Sequence, residues 1–142
     1  MLRFLKRLIT PNTDTGAGGL GERLAAEWLQ RERRFKMLVR NWRSPKDRRE
    51  EIDLVCEDGD VLVFVEVKAR AAGALVSGYH AVDARKKRVL RRAIRTYVSQ
   101  LREKPRTFRF DVVEVALPGA ETARPEILHF ENVALFSKYY RG

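Results

Sequence analysis

Three charged side chains stand out within otherwise apolar segments of the sequence. Glu66 and Lys68 end one apolar run, and Asp53 lies among the apolar residues of the segment before it. Because alternate residues of a strand share a face, Glu66 and Lys68 follow Leu62 and Phe64 on one side. A charge at the end of a buried run is costly unless it is paired or bound to a metal. These residues are therefore the first candidates for a functional site.

A hairpin between the two segments would decide whether the three charges meet. Asp58-Gly59 between β-forming runs predicts a tight turn. A two-residue turn there pairs Asp53 with Phe64, and a four-residue loop leaves the same pairing. In both cases Asp53 shares a face with Glu66, at a diagonal position about 7–8 Å away. A three-residue turn without a bulge would instead put Asp53 on the opposite face.

An aspartate, a glutamate and a lysine that converge in this way suggest metal-assisted attack on a phosphate. Two carboxylates and a backbone carbonyl, that of Val67, are hard oxygen ligands suited to Mg²⁺ or Mn²⁺. The ion would lower the pKa of a bound water, and Lys68 would orient that water or stabilise the phosphorane. The alternative is a structural ion-pair cluster of Asp53, Glu66 and Lys68 at the end of a strand.

Composition limits the partners and the kinds of site. The chain has 142 residues, with 29 Lys and Arg against 19 Asp and Glu, so its formal net charge is +10. That excess favours a polyanionic partner, nucleic acid first and an anionic membrane surface second. One Cys and two His exclude a disulfide framework and a Cys/His zinc site, so any metal must have oxygen ligands. No apolar run approaches the roughly 18–20 residues of a membrane span, and we expect a cytoplasmic protein without stable membrane insertion.

The elements that position the charges form one α/β domain with a mixed sheet. Residues 1–19 are expected to be a basic amphipathic arm and a Gly-rich joint, and residues 20–142 the domain. The small, Gly-containing segment Ala71–Gly78 is expected to be mobile. The predicted order is helix Leu20–Arg33, strands Phe35–Trp42, Glu51–Cys56 and Val61–Lys68, helix His80–Leu101, and strands Thr107–Ala116 and Glu126–Phe130.

Further charged residues lie on the two predicted helices. Glu22, in the first turn of the first helix, could simply favour the helix dipole. Lys86 lies on the apolar stripe of the second helix, where it is either a snorkelling side chain or part of a site. That helix also carries six cations without matching acids between Asp83 and Glu103, which favours a phosphate-facing stripe. The six are Arg85, Lys87, Arg88, Arg91, Arg92 and Arg95.

The order and spacing of several motifs resemble the YraN family of predicted endonucleases. The matching stretches are Gly21-Glu22-Arg23-Leu24-Ala25-Ala26-Glu27-Trp28-Leu29, Arg40-Asn41-Trp42-Arg43, Glu51-Ile52-Asp53-Leu54-Val55, Val63-Phe64-Val65-Glu66-Val67-Lys68-Ala69-Arg70, and Val82 with Lys86. The resemblance covers about Leu20 to Gln100. Where such relatives have Gly before Glu-Ile-Asp-Leu, this chain has Glu50, and its preceding loop is lengthened by residues 46–49.

The resemblance implies a restriction-endonuclease-like fold, similar to archaeal Holliday-junction resolvases, with a central mixed sheet of about five strands flanked by helices. It implies Mg²⁺-dependent cleavage of phosphodiester bonds in DNA, possible action on branched or single-stranded DNA, and a possible homodimer. By matched position, Asp53 and Glu66 would be metal ligands and Lys68 the catalytic lysine. Glu22 would be a supporting carboxylate and Lys86 an accessory residue. Apart from the resemblance, we expect Arg70 to contact nucleic acid together with the six cations of the second helix.

Two other functions stay open at this stage. The first is a non-catalytic nucleic-acid-binding protein that retains the nuclease fold, and it would bind with a steep salt dependence and without need of a metal. The second is a membrane-surface protein, which depends only on the amphipathic residues Met1–Pro11.

Overall fold

The computed structural model describes residues 17–71, 82–119 and 124–136. The helices and strands within them are α1 (Ala17–Glu32), β1 (Lys36–Arg43), β2 (Glu51–Asp58), β3 (Val61–Arg70), α2 (Ala84–Ser99), β4 (Thr107–Ala116) and β5 (Glu126–Phe130). The predicted arm Met1–Pro11, most of the Gly-rich joint, residues 72–78 and the predicted helix start at His80 lie outside the described residues. No helix in the described part of the chain has the length and apolar character needed to cross a membrane.

The strands form one mixed sheet in the order β1-β2-β3-β4-β5. Neighbouring strands are antiparallel except β3 and β4, which are parallel and are connected through α2. A parallel pair needs such a crossover connection, because a tight turn can only join antiparallel strands. The prediction of a single α/β domain on a mixed sheet of about five strands is confirmed.

The helix bounds differ from the predicted ones for local reasons. α1 begins at Ala17 rather than Leu20, inside the segment assigned to the joint. α2 begins after Asp83, whose carboxylate accepts a hydrogen bond of 2.8 Å from the N–H of Lys86, and it ends at Ser99 rather than Leu101. An aspartate at this position satisfies a donor at the start of a helix and so fixes where it begins.

Each face of the sheet is covered by one helix. α2 packs on a core that contains Phe64, Leu90 and Ile94, and α1 packs on a second core that contains Leu29 and Val65. Both faces are therefore dry at the centre of the sheet, where a charged side chain needs compensation.

The hairpin between β2 and β3 has a different register from the predicted one. Val61 pairs with Asp58, and the turn residues are Gly59 and Asp60, so the predicted pairing of Asp53 with Phe64 is wrong by two residues. Gly59 has φ +57°, a conformation that glycine adopts without the steric cost of a Cβ, so it takes the first position of the turn. A shift of two residues preserves the face of every side chain, and it moves Asp53 from a diagonal to a directly opposite position relative to Glu66.

The start of α1 lies very close to the end of β3. A Cβ on Gly21 would come within 2.7 Å of the Cβ of Ala69. Only a residue without a side chain permits this approach, and the close packing holds the Gly-containing first turns of α1 in helical form although glycine has a poor helix propensity.

Candidate metal and nucleic-acid site

A buried pair of carboxylates lies at the end of the sheet where β2 begins and β3 ends. Asp53 has 7% of its surface exposed and Glu66 has 3%. Continuing the register of the hairpin by one step beyond Leu54 and Val65 places Asp53 opposite Glu66. The N–H of Val67 donates a hydrogen bond of 2.8 Å to Asp53 Oδ2, which fixes one oxygen of the aspartate against β3.

Two lysines approach the same oxygen of Glu66 from different elements. Lys68 Nζ, from β3, and Lys86 Nζ, from α2, each lie 3.5 Å from Glu66 Oε1. Both lysine side chains remain about one-third exposed, so the ammonium groups mark the solvent side of the pair. The other oxygen, Glu66 Oε2, is buried and has no hydrogen-bond partner among the described residues.

The electrostatics of the pair reflect this incomplete compensation. Burial first, and then the neighbouring Glu66 carboxylate, raise the pKa of Asp53 to about 7, and the Val67 N–H and Lys86 only partly oppose them. Two adjacent carboxylates cannot both ionise cheaply in a dry site, because each disfavours the charge of the other. A divalent cation would neutralise both groups and would give the unpartnered oxygen of Glu66 a ligand bond. The donor set therefore fits Mg²⁺ or Mn²⁺.

The described residues do not complete a three-ligand metal cluster. They include no group of three or more His, Cys, Asp or Glu side chains arranged to hold an ion. Glu22, the predicted supporting carboxylate, belongs to α1, which packs on the opposite face of the sheet from α2. Its neighbour Gly21 packs against Ala69, so Glu22 lies near the same end of β3 as Glu66, and its role as a supporting carboxylate stays a prediction. The N–H of Val67 donates to Asp53, and the role of the Val67 carbonyl as a metal ligand stays a prediction.

A fourth acid near the site was not among the predicted residues. Glu114 is fully buried in β4, on the same face as Phe110 and Val112, and it is in register with Lys68 on the neighbouring strand. Its signal in the sequence was an acid at a core-facing position of an apolar strand, the same signal that marked Glu66.

A second buried acid on β4 belongs to a separate, fully paired cluster. Asp111 contacts the Arg109 guanidinium at 3.0 and 3.2 Å, His129 Nε2 at 2.8 Å and the N–H of Asn132 at 2.9 Å. Burial alone would raise the pKa of Asp111, but the hydrogen bonds from His129, Arg109 and Asn132 hold it below its ordinary value. This cluster lies on the α1 side of the sheet and connects β4 to β5, so its role is structural.

The predicted basic stripe of α2 divides into two groups. Arg85, Arg88, Arg92 and Arg95 are exposed. Lys87 and Arg91 are half-buried, and Arg91 donates a hydrogen bond of 3.0 Å to the carbonyl of Leu135, which gives it a structural task. Arg70, at the end of β3, is half-buried and its Nε has no hydrogen-bond partner among the described residues. The exposed arginines therefore form the part of the stripe that can contact a phosphate backbone.

The lengthened β1–β2 loop adds charge beside this stripe. Hydrogen bonds from Arg49, with a weaker attraction to Arg92, hold the pKa of Asp47 below its ordinary value, so the loop lies near α2. Within the described residues, the side chains of Lys46 and Arg48 make no ion pair. The loop precedes β2, so it lies at the same end of the sheet as the carboxylate pair.

Comparison with known proteins identifies a family without a described activity. A family model described as "Uncharacterised protein family UPF0102" matches residues 21–115. A UPF0102 protein of Geobacter metallireducens is 38% identical over 115 residues, which is 81% of this chain and 88% of the relative. UPF0102 proteins of Anaeromyxobacter dehalogenans and Symbiobacterium thermophilum are 42% identical over 113 residues (80% of this chain, 79% of the relative) and 43% identical over 104 residues (73% and 84%).

Proposed function

The chain belongs to the uncharacterised protein family UPF0102, the YraN family that its motifs indicated, and we propose that it is a metal-dependent nuclease acting on DNA. One observation carries the proposal. The buried carboxylates of Asp53 and Glu66 adjoin one another, and Glu66 Oε2 has no hydrogen-bond partner in the described part of the chain. A fold that needed only stability would have little reason to keep such a pair.

Asp53 and Glu66 would hold a Mg²⁺ or Mn²⁺ ion, with the carbonyl of Val67 and the carboxylate of Glu22 as further proposed ligands. When bound, the ion supplies charge neutralisation at a phosphate oxygen and a more acidic water. Asp53 keeps one oxygen fixed by the N–H of Val67 at 2.8 Å, so its other oxygen has a defined direction. That preorganisation is what an oxygen-ligand site requires of its protein groups.

The two lysines have different tasks in this proposal. Lys68 projects from β3 next to Glu66, and its ammonium would orient the attacking water and stabilise the charge that develops on the phosphate. Lys86 comes from α2 and neutralises Glu66 from the other side at 3.5 Å, which positions the carboxylate. The exposed arginines of α2 would hold the phosphate backbone.

The polymer, the assembly and the location are also part of the proposal. The proposal includes DNA in preference to RNA, a two-fold homodimer and a cytoplasmic location, and the net charge of +10 supports a polyanionic partner.

A cleavage assay with matched variants tests the nuclease. The protein is incubated with single-stranded DNA, forked DNA, a four-way junction and linear duplex in Mg²⁺ or Mn²⁺, with and without chelator. We expect cleavage of at least one substrate, a loss of about 100-fold or more in Glu66→Gln and Lys68→Met, and no loss in Lys36→Met, an exposed lysine of β1. Cleavage that is equal in all variants, or absent from all substrates, would contradict the proposal.

One observation favours a second function, a nucleic-acid-binding protein without catalysis. The described residues hold no cluster of three potential metal ligands. In that case the chain would bind DNA with a steep salt dependence, and chelator would change neither its affinity nor its thermal stability.

A further inference from the structure

A cavity at the far end of α2 has the chemistry of a nucleotide site. Its volume is about 730 Å³, within the roughly 300–1,000 Å³ typical of ligand pockets. Its apolar wall includes Ile94, Val98 and Phe108, and three cations, Arg95, Lys104 and Arg106, also line it. None of the lining residues is acidic. An apolar wall with cations around it suits a planar base that carries a phosphate.

Lys104 and Arg106, two of the cations at the cavity, differ in how their side chains are held. Lys104 Nζ donates hydrogen bonds of 2.7 Å to the carbonyl of Val98, in the last turn of α2, and 3.3 Å to that of Leu101, just after the helix. The helix end therefore holds this ammonium at the cavity. Arg106 is exposed and makes no contact with a partner among the described residues.

The cavity lies at the end of the exposed arginine row of α2. Arg88, Arg92, Arg95 and Ser99 follow one another at spacings of four, three and four, so they lie on one side of α2. Lys86, at the start of the helix, contacts Glu66, and Ser99, at its end, lines the cavity. Thirteen residues separate them, which corresponds to about 20 Å along the helix axis.

We propose that this cavity binds an unpaired nucleotide of the same nucleic-acid strand whose backbone crosses α2 to the carboxylate pair. A base in a duplex is stacked and paired, so it cannot enter a side cavity, whereas a base of a single strand can. The inference rests on the proposed function and deepens it. It assigns unpaired DNA as the substrate class and a second point of contact about 20 Å from the cleavage site.

Fluorescence anisotropy in chelator tests the cavity without any cleavage step. The full chain is titrated with labelled dT12, with a 12-mer of abasic sites that carries the same phosphates, and with a hairpin duplex. We expect dT12 to bind about tenfold more tightly than the abasic 12-mer, because each seated base adds contact with an apolar wall. Equal affinity for the two would overturn the proposal, since the backbone alone would then account for binding.

Matched variants locate the contact. Ser99→Glu puts a negative charge into the cavity, and Gln100→Glu puts the same charge on the next residue, which is exposed and does not line the cavity. We expect about tenfold weaker binding of dT12 by Ser99→Glu, little change in Gln100→Glu, and a salt slope lower by about 0.7 in Arg106→Gln. Equal effects of the two glutamates would overturn the proposal, as would loss of a concentration-dependent dimer in Ser99→Glu, which would identify a second copy of the chain as the occupant.

The two proposals fail in different assays. A chain that cleaves nothing, yet prefers dT12 over the abasic 12-mer in a way that depends on Ser99, refutes the nuclease and retains the cavity. A chain that cleaves DNA without that preference supports the nuclease and refutes the cavity as a nucleotide site.

Discussion

Replacing Asp53 by asparagine is expected to stabilise the metal-free protein while removing its response to metal. The amide of asparagine has nearly the shape of the carboxyl group, and its oxygen can still accept the N–H of Val67. Its NH₂ group can donate to Glu66, whose Oε2 has no partner among the described residues. Asp53→Asn therefore removes one of two adjacent negative charges and keeps, at every pH, a hydrogen bond to Glu66 that Asp53 can donate only when it is protonated.

The size of the effect follows from the electrostatics of the pair. Burial, followed by the charge of Glu66, raises the pKa of Asp53 from 3.8 to about 7. At about 1.4 kcal/mol for each pKa unit, an ionised Asp53 costs the fold on the order of 4 kcal/mol. A folded-state pKa above the unfolded one means that the folded chain binds more protons between pH 4 and pH 7, so this contribution to stability falls as the pH rises. We expect Asp53→Asn to add about 2–4 kcal/mol to the free energy of unfolding at pH 8 and almost nothing at pH 4.

Urea unfolding in chelator at several pH values measures this difference. Asp60→Asn, the same chemical change in the exposed turn of the hairpin, is the control and is expected to alter stability by no more than about 0.5 kcal/mol. Added Mn²⁺ or Mg²⁺ is expected to stabilise the wild-type chain and not Asp53→Asn. An Asp53→Asn chain that is less stable than the wild type at pH 8, or a difference that does not change with pH, would refute the account of the pair.

Three further predictions concern other parts of the molecule. Asp111→Asn is expected to lower the free energy of unfolding in urea by about 3–5 kcal/mol, because it removes the charge of a buried acid whose partners stay in place. The lowered pKa of Asp111 stabilises the fold above pH 4, and that stabilisation is lost as the pH falls through the folded-state pKa. Arg92→Gln is expected to lower the salt slope of single-stranded DNA binding by about 0.7, whereas Arg91→Gln should instead lower thermal stability, since Arg91 holds the carbonyl of Leu135. Gly21→Ala is expected to cost about 1–3 kcal/mol of stability in the same unfolding assay, because its Cβ would meet Ala69 at 2.7 Å.

The sequence predicts correctly that Asp53 and Glu66 share a face of the sheet, but it does not predict which residue lies opposite Asp53 on the neighbouring strand. Alternation along β2 and β3 fixes the shared face of Asp53 and Glu66, and this result survives a register error of two residues because the period of a strand is two. The error itself arises at Gly59, which takes the first place of the turn, and a sequence with Asp on both sides of that glycine gives no local reason to choose between the two registers.

Contacts between elements distant in the chain required the fold. The helical stripe indicated that Lys86 faces the core, but only the packing of α2 on β3 shows that it reaches Glu66. Glu114 lies beside Lys68 because β4 runs parallel to β3, and no local pattern states which strands will be neighbours. Two of the three partners of Asp111, His129 and Asn132, come from β5 and the turn after it, so their proximity is likewise a property of strand order.

The contrast between the two buried aspartates bears most directly on function. Asp111 is more buried than Asp53, with 0% against 7% of its surface exposed, yet its pKa is lowered while that of Asp53 is raised. Burial raises the pKa of both aspartates, and around Asp111 the hydrogen bonds outweigh that effect. Among the described residues, Asp111 has four hydrogen bonds with three residues, while Asp53 accepts one from Val67 and adjoins a second acid. The same fold thus surrounds one buried acid with donors and leaves the other beside a second carboxylate with a single donor, an arrangement that a divalent cation would stabilise.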